Sequence, residues 1–296
     1  MKPFFSVIVP TYNRIERLLP TLNSILKQDF ENFELLIVDD GSTDGTEERI
    51  TKNYADNPQV IYFYKKNEER SVARNFGFQK SKGEYVVFFD SDDFMHSNHL
   101  SSLKSKIDLH PNCNFFTTKF QFKKDKKISP SHIQNWKEGF YDYKNLLEGS
   151  WFGTLVCVKK NNPKIHLFPP QFNIAEDWIF NLSNLKKDKI FVIDSSTITV
   201  YDHDERSMAA NQKVIQGRLA AMNYVLEELE FTPSEQKILK GHSYYFCAVH
   251  AYLDKNRQQG ITFLWATIKT IGLSLRSLIL FAKLLVGKSR IEKLRH

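Results

Sequence analysis

Four short apolar runs recur in the first ninety residues, at 4–9, 33–38, 60–64 and 85–89. Each is nearly continuous in apolar and β-branched residues, the pattern of a strand buried on both faces. Between the first two, Ile15, Leu18, Leu19, Leu22, Ile25 and Leu26 recur at helical spacing on one face. Weaker helical patterns cover 46–54 and 71–80, and 97–109 follows the fourth run. This alternation predicts an α/β fold: a mostly parallel central sheet, Rossmann-like, flanked by helices. Beyond Cys113 the pattern loosens. It predicts a solvated turn at 123–127, loops at 140–151, a strand at 156–160, a helix over 168–182, and two short strands at 190–193 and 197–201. From about Asn211 it is helical to the end. The expected organisation is a catalytic domain over 1–210, with a nucleotide-binding half at about 1–110 and an acceptor-binding half at about 111–210. A helical C-terminal extension follows over 211–296.

In open α/β sheets, ligands bind outside the carboxyl ends of the strands. The unusual residues collect there. The first run leads into Pro10-Thr11-Tyr12-Asn13-Arg14, the second into Asp39-Asp40-Gly41-Ser42-Thr43-Asp44-Gly45, and the fourth into Asp90-Ser91-Asp92-Asp93. Carboxylates bunched at a buried strand end repel one another unless a cation or hydrogen-bond donors offset the charge. A hard divalent ion, Mn²⁺ or Mg²⁺, fits such a group, and an acidic loop with helix caps is the plainer alternative. A carboxylate fixed near Asp39 and Asp40 can accept the N3–H of a uracil. A glycine turn followed by a helix cap accounts for Gly41 to Thr46 but not for two adjacent aspartates.

Taken together, these strings resemble a family 2 glycosyltransferase of the GT-A fold. The resemblance is carried by Ser6-Val7-Ile8-Val9-Pro10-Thr11-Tyr12-Asn13-Arg14, the Asp39 to Thr46 run, Ala73-Arg74-Asn75-Phe76-Gly77, and Gly83-Glu84-Tyr85-Val86 leading to Asp90-Ser91-Asp92-Asp93. It is dense over 4–110 and thinner to about 205. It implies that Pro10, Thr11, Tyr12, Arg14, Asp40, Arg74, Asp90 and Ser91 surround a nucleotide, with Asp40 reading uracil, and that Asp92 ligates the metal. Ala175-Glu176-Asp177-Trp178 is similar to the family's acidic pair before tryptophan, which makes Asp177 the general base, with Glu176 supporting the site or contacting the acceptor and Trp178 a further candidate. Helix N-terminal acids favoured by the dipole are the plainer account of that pair. Asp39, Asp93, His203 and Arg206 complete the candidate set, the last two as contacts to metal or diphosphate or as a charged surface loop. The family's processive members carry a Gln-x-x-Arg-Trp signature that this chain lacks, so a single-sugar transferase is expected.

Charge changes the picture at one end only. From Lys255 to His296 there are nine Lys and Arg against Glu292 alone, while the rest of the chain is close to neutral. That argues against a nucleic-acid surface spread over the main domain and points to something local. Residues 261–286 are rich in Leu, Ile, Phe and Trp, yet Lys269, Arg276 and Lys283 interrupt them every seven residues. The longest uncharged stretch, 258–268, is 11 residues, short of the ~20 a membrane span needs. Leu264, Ile271, Leu278 and Leu285 share the spacing on the opposite side, with Leu275 beside them. An interfacial helix on anionic lipid has this pattern, as does a helix packed on the catalytic domain or on a second copy in a homodimer. The opening residues do not read as a secretory signal, and three scattered cysteines suit free thiols in a reducing compartment.

The expected protein is a metal-dependent, inverting glycosyltransferase of the bacterial surface-glycan type. Its donor would be a nucleotide-sugar, a UDP-sugar carrying a hexose or N-acetylhexosamine. Its acceptor would be a glycan or lipid-linked oligosaccharide, and its place the cytoplasmic face of the cell membrane. The rivals are a catalytically inactive carbohydrate-binding or scaffold protein, and a nucleotidyltransferase. The latter usually needs a glycine-rich phosphate loop after the first strand, and 10–14 contains no glycine.

Overall fold

A computed structural model describes residues 2–203 and 210–288. They form two compact units. The first runs up to Asp142 and adds Trp151–Asn173 and Asn184–His203; the second consists of Tyr143–Ser150, Ile174–Ser183 and the described part of Asp204–His296. The helical unit thus draws on two segments that precede residue 210.

The first unit is built on one ten-stranded sheet. Its opening strands are β1 (Phe5–Thr11), β2 (Phe33–Asp39), β3 (Val60–Tyr64) and β4 (Tyr85–Phe88). They lie in the order β3-β2-β1-β4, all parallel. Every residue of β1 and β2 is buried, which is why these segments carry no polar alternation. The crossovers are α1 (Ile15–Ile25), α2 (Thr46–Tyr54) and α3 (Glu69–Lys80). Ile15, Leu18, Leu22 and Ile25 are buried on α1, the face marked by their spacing. Gly77 lets α3 lie against β1, since a Cβ there would meet Ile8 Cγ2 at 2.5 Å.

Past β4 the sheet becomes mixed. β5 (Phe94–Met95) precedes α4 (His99–Leu109), and β6 (Phe115–Lys124) turns through the left-handed Asp125 into β7 (Lys127–Pro130). The solvated turn expected over 123–127 narrows to the tip of this hairpin, because Lys123, Lys124 and Lys127 pair within its strands. β8 is Gly139–Tyr141, and β9 (Cys157–Lys159) runs antiparallel to both β4 and β6. The two short strands expected at 190–193 and 197–201 are one, β10 (Ile190–Tyr201), parallel to β6 with register shifts around Ser196. The polar Asp194-Ser195-Ser196 stretch is absorbed as an irregularity because β6 offers an unbroken partner. β5 and β8 pair antiparallel with β10.

The second unit holds a 3₁₀ turn (Tyr143–Leu146), the start of α5 (Glu176–Leu185), α6 (Asn211–Glu228), α7 (Pro233–Leu253), α8 (Arg257–Ile271) and α9 (Leu275–Val286). Thr232 and Glu235 close a capping box at the start of α7. The continuous helix expected over the tail is broken. Gly272 takes a positive φ of 84° after α8, and the Ser274 side chain caps α9. Lys269 therefore lies on one helix and Arg276 and Lys283 on another, so no single helix carries the seven-residue stripe. Leu264, from its apolar side, is buried with Ala248, Leu280 and Leu284. Helix termination at a left-handed glycine overrides a periodicity that looks seamless in the sequence. No described helix is long and apolar enough to cross a membrane.

Candidate functional site

The ends of β1 and β2 are stitched into one loop platform. Asn13, left-handed at φ 47°, accepts from Thr43 N–H through Oδ1 at 2.7 Å, and its own N–H donates to Ser42 Oγ at 2.9 Å. Asp44 accepts from Ile15 N–H and from the Thr46 hydroxyl and N–H, capping the starts of α1 and α2. Burial would raise the Asp44 carboxyl, but these hydrogen bonds hold it below the ordinary carboxylate range. Asp39 is enclosed, accepting from Ser42 N–H at 2.8 Å and from the Tyr62 hydroxyl at 2.6 Å. Its partners make it a pin for the turn. Asp40 accepts from Lys65 Nζ at 2.6 Å and from Glu68 N–H at 3.1 Å. Thr11 is buried, while Tyr12 exposes about half its surface, as a ring that stacks on a base must.

At the end of β4, Arg74 from α3 bonds Asp90 Oδ1 at 2.9 Å and lies over the Phe168 ring at 5.3 Å. The loop carrying Phe168 is fixed to α3, because Asn75 exchanges hydrogen bonds with both backbone groups of Phe168 and Ser71 donates to Phe172. Asp92 Oδ2 receives two groups: Arg14 Nη1 at 3.1 Å and His203 Nε2 at 3.0 Å. Ser91 is buried between the acidic residues. Asp93 is buried too and accepts from Tyr201 N–H at 3.1 Å, tying the end of β10 to this loop. It serves the framework.

In the second unit, the left-handed Ala175 leads into α5, whose first turn holds Glu176 and Asp177. Ser150 Oγ donates to Asp177 Oδ2 at 2.6 Å. Trp178 is fully buried and donates its indole N–H to Leu146 O at 2.9 Å. The Arg218 guanidinium lies 3.4 Å from the centre of that indole.

The donor set suits a divalent cation. Asp90 and Asp92 supply hard oxygens, and His203 Nδ1 is buried without a hydrogen-bond partner among the described residues. Among those residues, no group of three or more His, Cys, Asp or Glu closes around a metal. An ion that shares its coordination sphere with phosphate oxygens needs no such cage.

The fold thus brings Pro10, Thr11, Tyr12, Arg14, Asp40, Arg74, Asp90, Ser91, Asp92 and His203 to the strand ends of the first unit. Glu176, Asp177 and Trp178 fall in the second unit, and Arg206 lies outside the described residues. Sequence reasoning missed Lys65 and Phe168. Lys65 sits one residue past β3, so the strand-end rule that found the aspartates could have found it; nothing local marks Phe168.

Residues 6–159 match the family model described as Glycosyl transferase family 2. The chain is 28% identical over 306 residues to the GalNAc(5)-diNAcBac-PP-undecaprenol beta-1,3-glucosyltransferase of Campylobacter jejuni, covering 99% of this chain and 96% of that one. An uncharacterized glycosyltransferase of Rickettsia felis is 30% identical over 234 residues, 75% of this chain and 37% of its own length. The chain thus spans about a third of the length of the Rickettsia relatives it matches. Among solved structures, S. aureus TarS 1–349 in complex with UDP-GlcNAc aligns with a TM-score of 0.69 at 22% identity, covering 98% of this chain and 89% of that one. The mannosyltransferase PcManGT of Pyrobaculum calidifontis, solved with GDP-Man and Mn²⁺, aligns at 0.62 and 18% identity, covering 99% and 83%. A parallel first half with acidic strand ends, joined to a mixed half of the sheet, defines an α/β protein of the GT-A fold shared with these neighbours. The chain belongs to glycosyl transferase family 2.

Proposed function

We propose that this chain is an inverting glycosyltransferase that moves a single sugar from a UDP-sugar to a lipid-linked glycan acceptor. Asp92 carries the proposal: a carboxylate at the end of β4 whose one oxygen meets both Arg14 and His203. A guanidinium and an imidazole converging on one carboxylate at a strand end suit a diphosphate and its counter-ion better than a structural ion pair. Tyr12 would stack on the uracil, Asp40 would accept its N3–H, and Arg14 and Arg74 would hold the phosphates. Asp92, with Asp90 and His203, would hold Mn²⁺ or Mg²⁺, which as a Lewis acid offsets charge on the leaving diphosphate. Asp177 would take the proton of the acceptor hydroxyl as that oxygen attacks the anomeric carbon from the face opposite the leaving group. In-line attack inverts the anomeric centre.

The lipid-linked acceptor and a site at the inner face of the membrane are supported by the second unit. On and just before α9, Leu273, Leu275, Leu278, Ile279, Leu285 and Val286 are exposed, with Arg276 and Lys283 on the same helix. A short helix with bare apolar residues and no acidic ones suits an anionic lipid surface. The Campylobacter relative is named for an undecaprenol-linked substrate.

The test has two arms. Calorimetry should show UDP binding strengthened by Mn²⁺, and proton NMR of the product of a UDP-sugar should show the opposite anomeric configuration. Asp177→Asn should keep UDP affinity while cutting transfer by roughly 10² or more. Full turnover in that variant, or retention of configuration, would overturn the proposal.

A further inference from the structure

Arg218 is the most unusual charge in the second unit. It lies on α6 with 4% of its surface exposed. A guanidinium taken out of water is costly unless something offsets its charge. Three offsets are visible. Its Nε donates to Ser243 Oγ on α7 at 3.2 Å. Its plane rests on the Trp178 indole at 3.4 Å, with the Phe246 ring 5.5 Å away. The third is the neighbouring carboxylate of Asp177, whose charge acts on it.

The thiol and the imidazole that α7 places near Arg218 are neutral near pH 7. Burial pushes the Cys247 thiol on α7 up to about 12. His242, also on α7, is lowered by burial, with Glu148 opposing and Arg276 and Arg218 adding to the shift. Burial likewise draws Arg218 down, to about 10, and it stays protonated. If packing alone were required, a methionine or leucine of similar length would fill the space without a buried charge.

We infer that Arg218 is a positioning residue for the general base: stacked on Trp178, it keeps the adjacent Asp177 carboxylate ionised and fixes the turn of α5 that presents it. This rests on the reading of Asp177 as the base. Ser150 holds one carboxylate oxygen by a hydrogen bond, and Arg218 supplies the opposite charge. A base must be ionised to accept a proton. A nearby cation favours the ionised form and lowers the carboxyl pKa, so losing it should move that pKa up.

The experiment is the pH profile of kcat/KM for wild type, Arg218→Gln, Arg218→Lys and Asp177→Asn on one acceptor. Arg218→Gln should move the acidic limb up by about one pH unit. Arg218→Lys, which keeps the charge and loses the planar stack, should leave the limb near wild type while lowering kcat. An unmoved limb in a folded Arg218→Gln variant, with Asp177→Asn inactive, overturns the inference and leaves the base intact. Full activity in Asp177→Asn overturns the base itself. If Arg218→Gln does not fold, the carboxyl ¹³C titration of Asp177 in a Ser150→Ala variant decides. A midpoint below the ordinary aspartate value of about 3.9 supports the inference, and one at or above it overturns it.

Discussion

Lys65→Met would test how the ends of β2 and β3 are held together. Lys65 Nζ lies 2.6 Å from Asp40 Oδ1, and the two side chains are 10% and 5% exposed. Burial works against the Lys65 charge, but its bonds to Asp40 and Glu68 outweigh this and raise its pKa. Removing one partner of a buried pair leaves the other charge uncompensated, which costs roughly 3–5 kcal/mol when the pair is sealed. Here Asp40 keeps the Glu68 N–H bond and the lysine head is not wholly enclosed. The expected loss is therefore about 2–3 kcal/mol, a fall in melting temperature of roughly 5–10 °C for a chain of this size. Asp40→Asn in the Lys65→Met background removes the stranded charge and should recover at least half of the loss. Thermal unfolding of the wild type, the two single variants and the double variant gives the coupling directly. Both Asp40 variants should bind UDP more weakly. If Lys65→Met melts within 1 °C of wild type, or the second substitution recovers nothing, the pair does not hold this edge.

Three further outcomes follow from the same geometry. Asp92→Asn should lose the Mn²⁺-dependent part of UDP binding and turnover; unchanged metal-assisted binding in calorimetry would remove Asp92 as a ligand. His99 is fully buried against Thr197 Oγ1 at 2.7 Å, and burial, with a smaller push from His96, lowers it to about 3. Because the folded state disfavours its protonation, stability is complete above the unfolded value of about 6.5 and falls as pH drops toward 3. His99 should account for about 2 kcal/mol of the loss between pH 7.5 and pH 5, and His99→Gln should flatten urea midpoints over that range. Finally, Leu278→Gln with Leu285→Gln should abolish sedimentation with anionic vesicles while leaving UDP affinity intact, and undiminished sedimentation would mean that α9 meets something other than lipid. Cutting the chain after Gly260 would be a poorer probe, since it strips Leu264, Leu280 and Leu284 from the cluster on Ala248.

The sequence by itself determined the parallel first half of the sheet. Runs such as 33–38 are buried on both faces, so their apolar character is continuous and their ends are marked by the polar residues that follow. Asp40, Arg74, Asp90 and Asp92 were legible as candidates because strand ends collect polar residues in short contiguous motifs. What only the tertiary structure decided depends on contacts distant in sequence. Asp39 and Asp40 are neighbours with the same side chain, yet Tyr62 from the next strand pins one into the turn while Lys65, from the loop after it, pairs with the other. Asp93 takes the N–H of Tyr201, more than a hundred residues away, while Asp92 meets Arg14 and His203. The tail shows the converse. A seven-residue repeat runs from Leu264 to Leu285, but a left-handed Gly272 splits it, burying Leu264 and leaving Leu278 and Leu285 bare. Periodicity records which residues could share a face; where the helix stops, and what packs on it, is settled by backbone conformation and long-range burial.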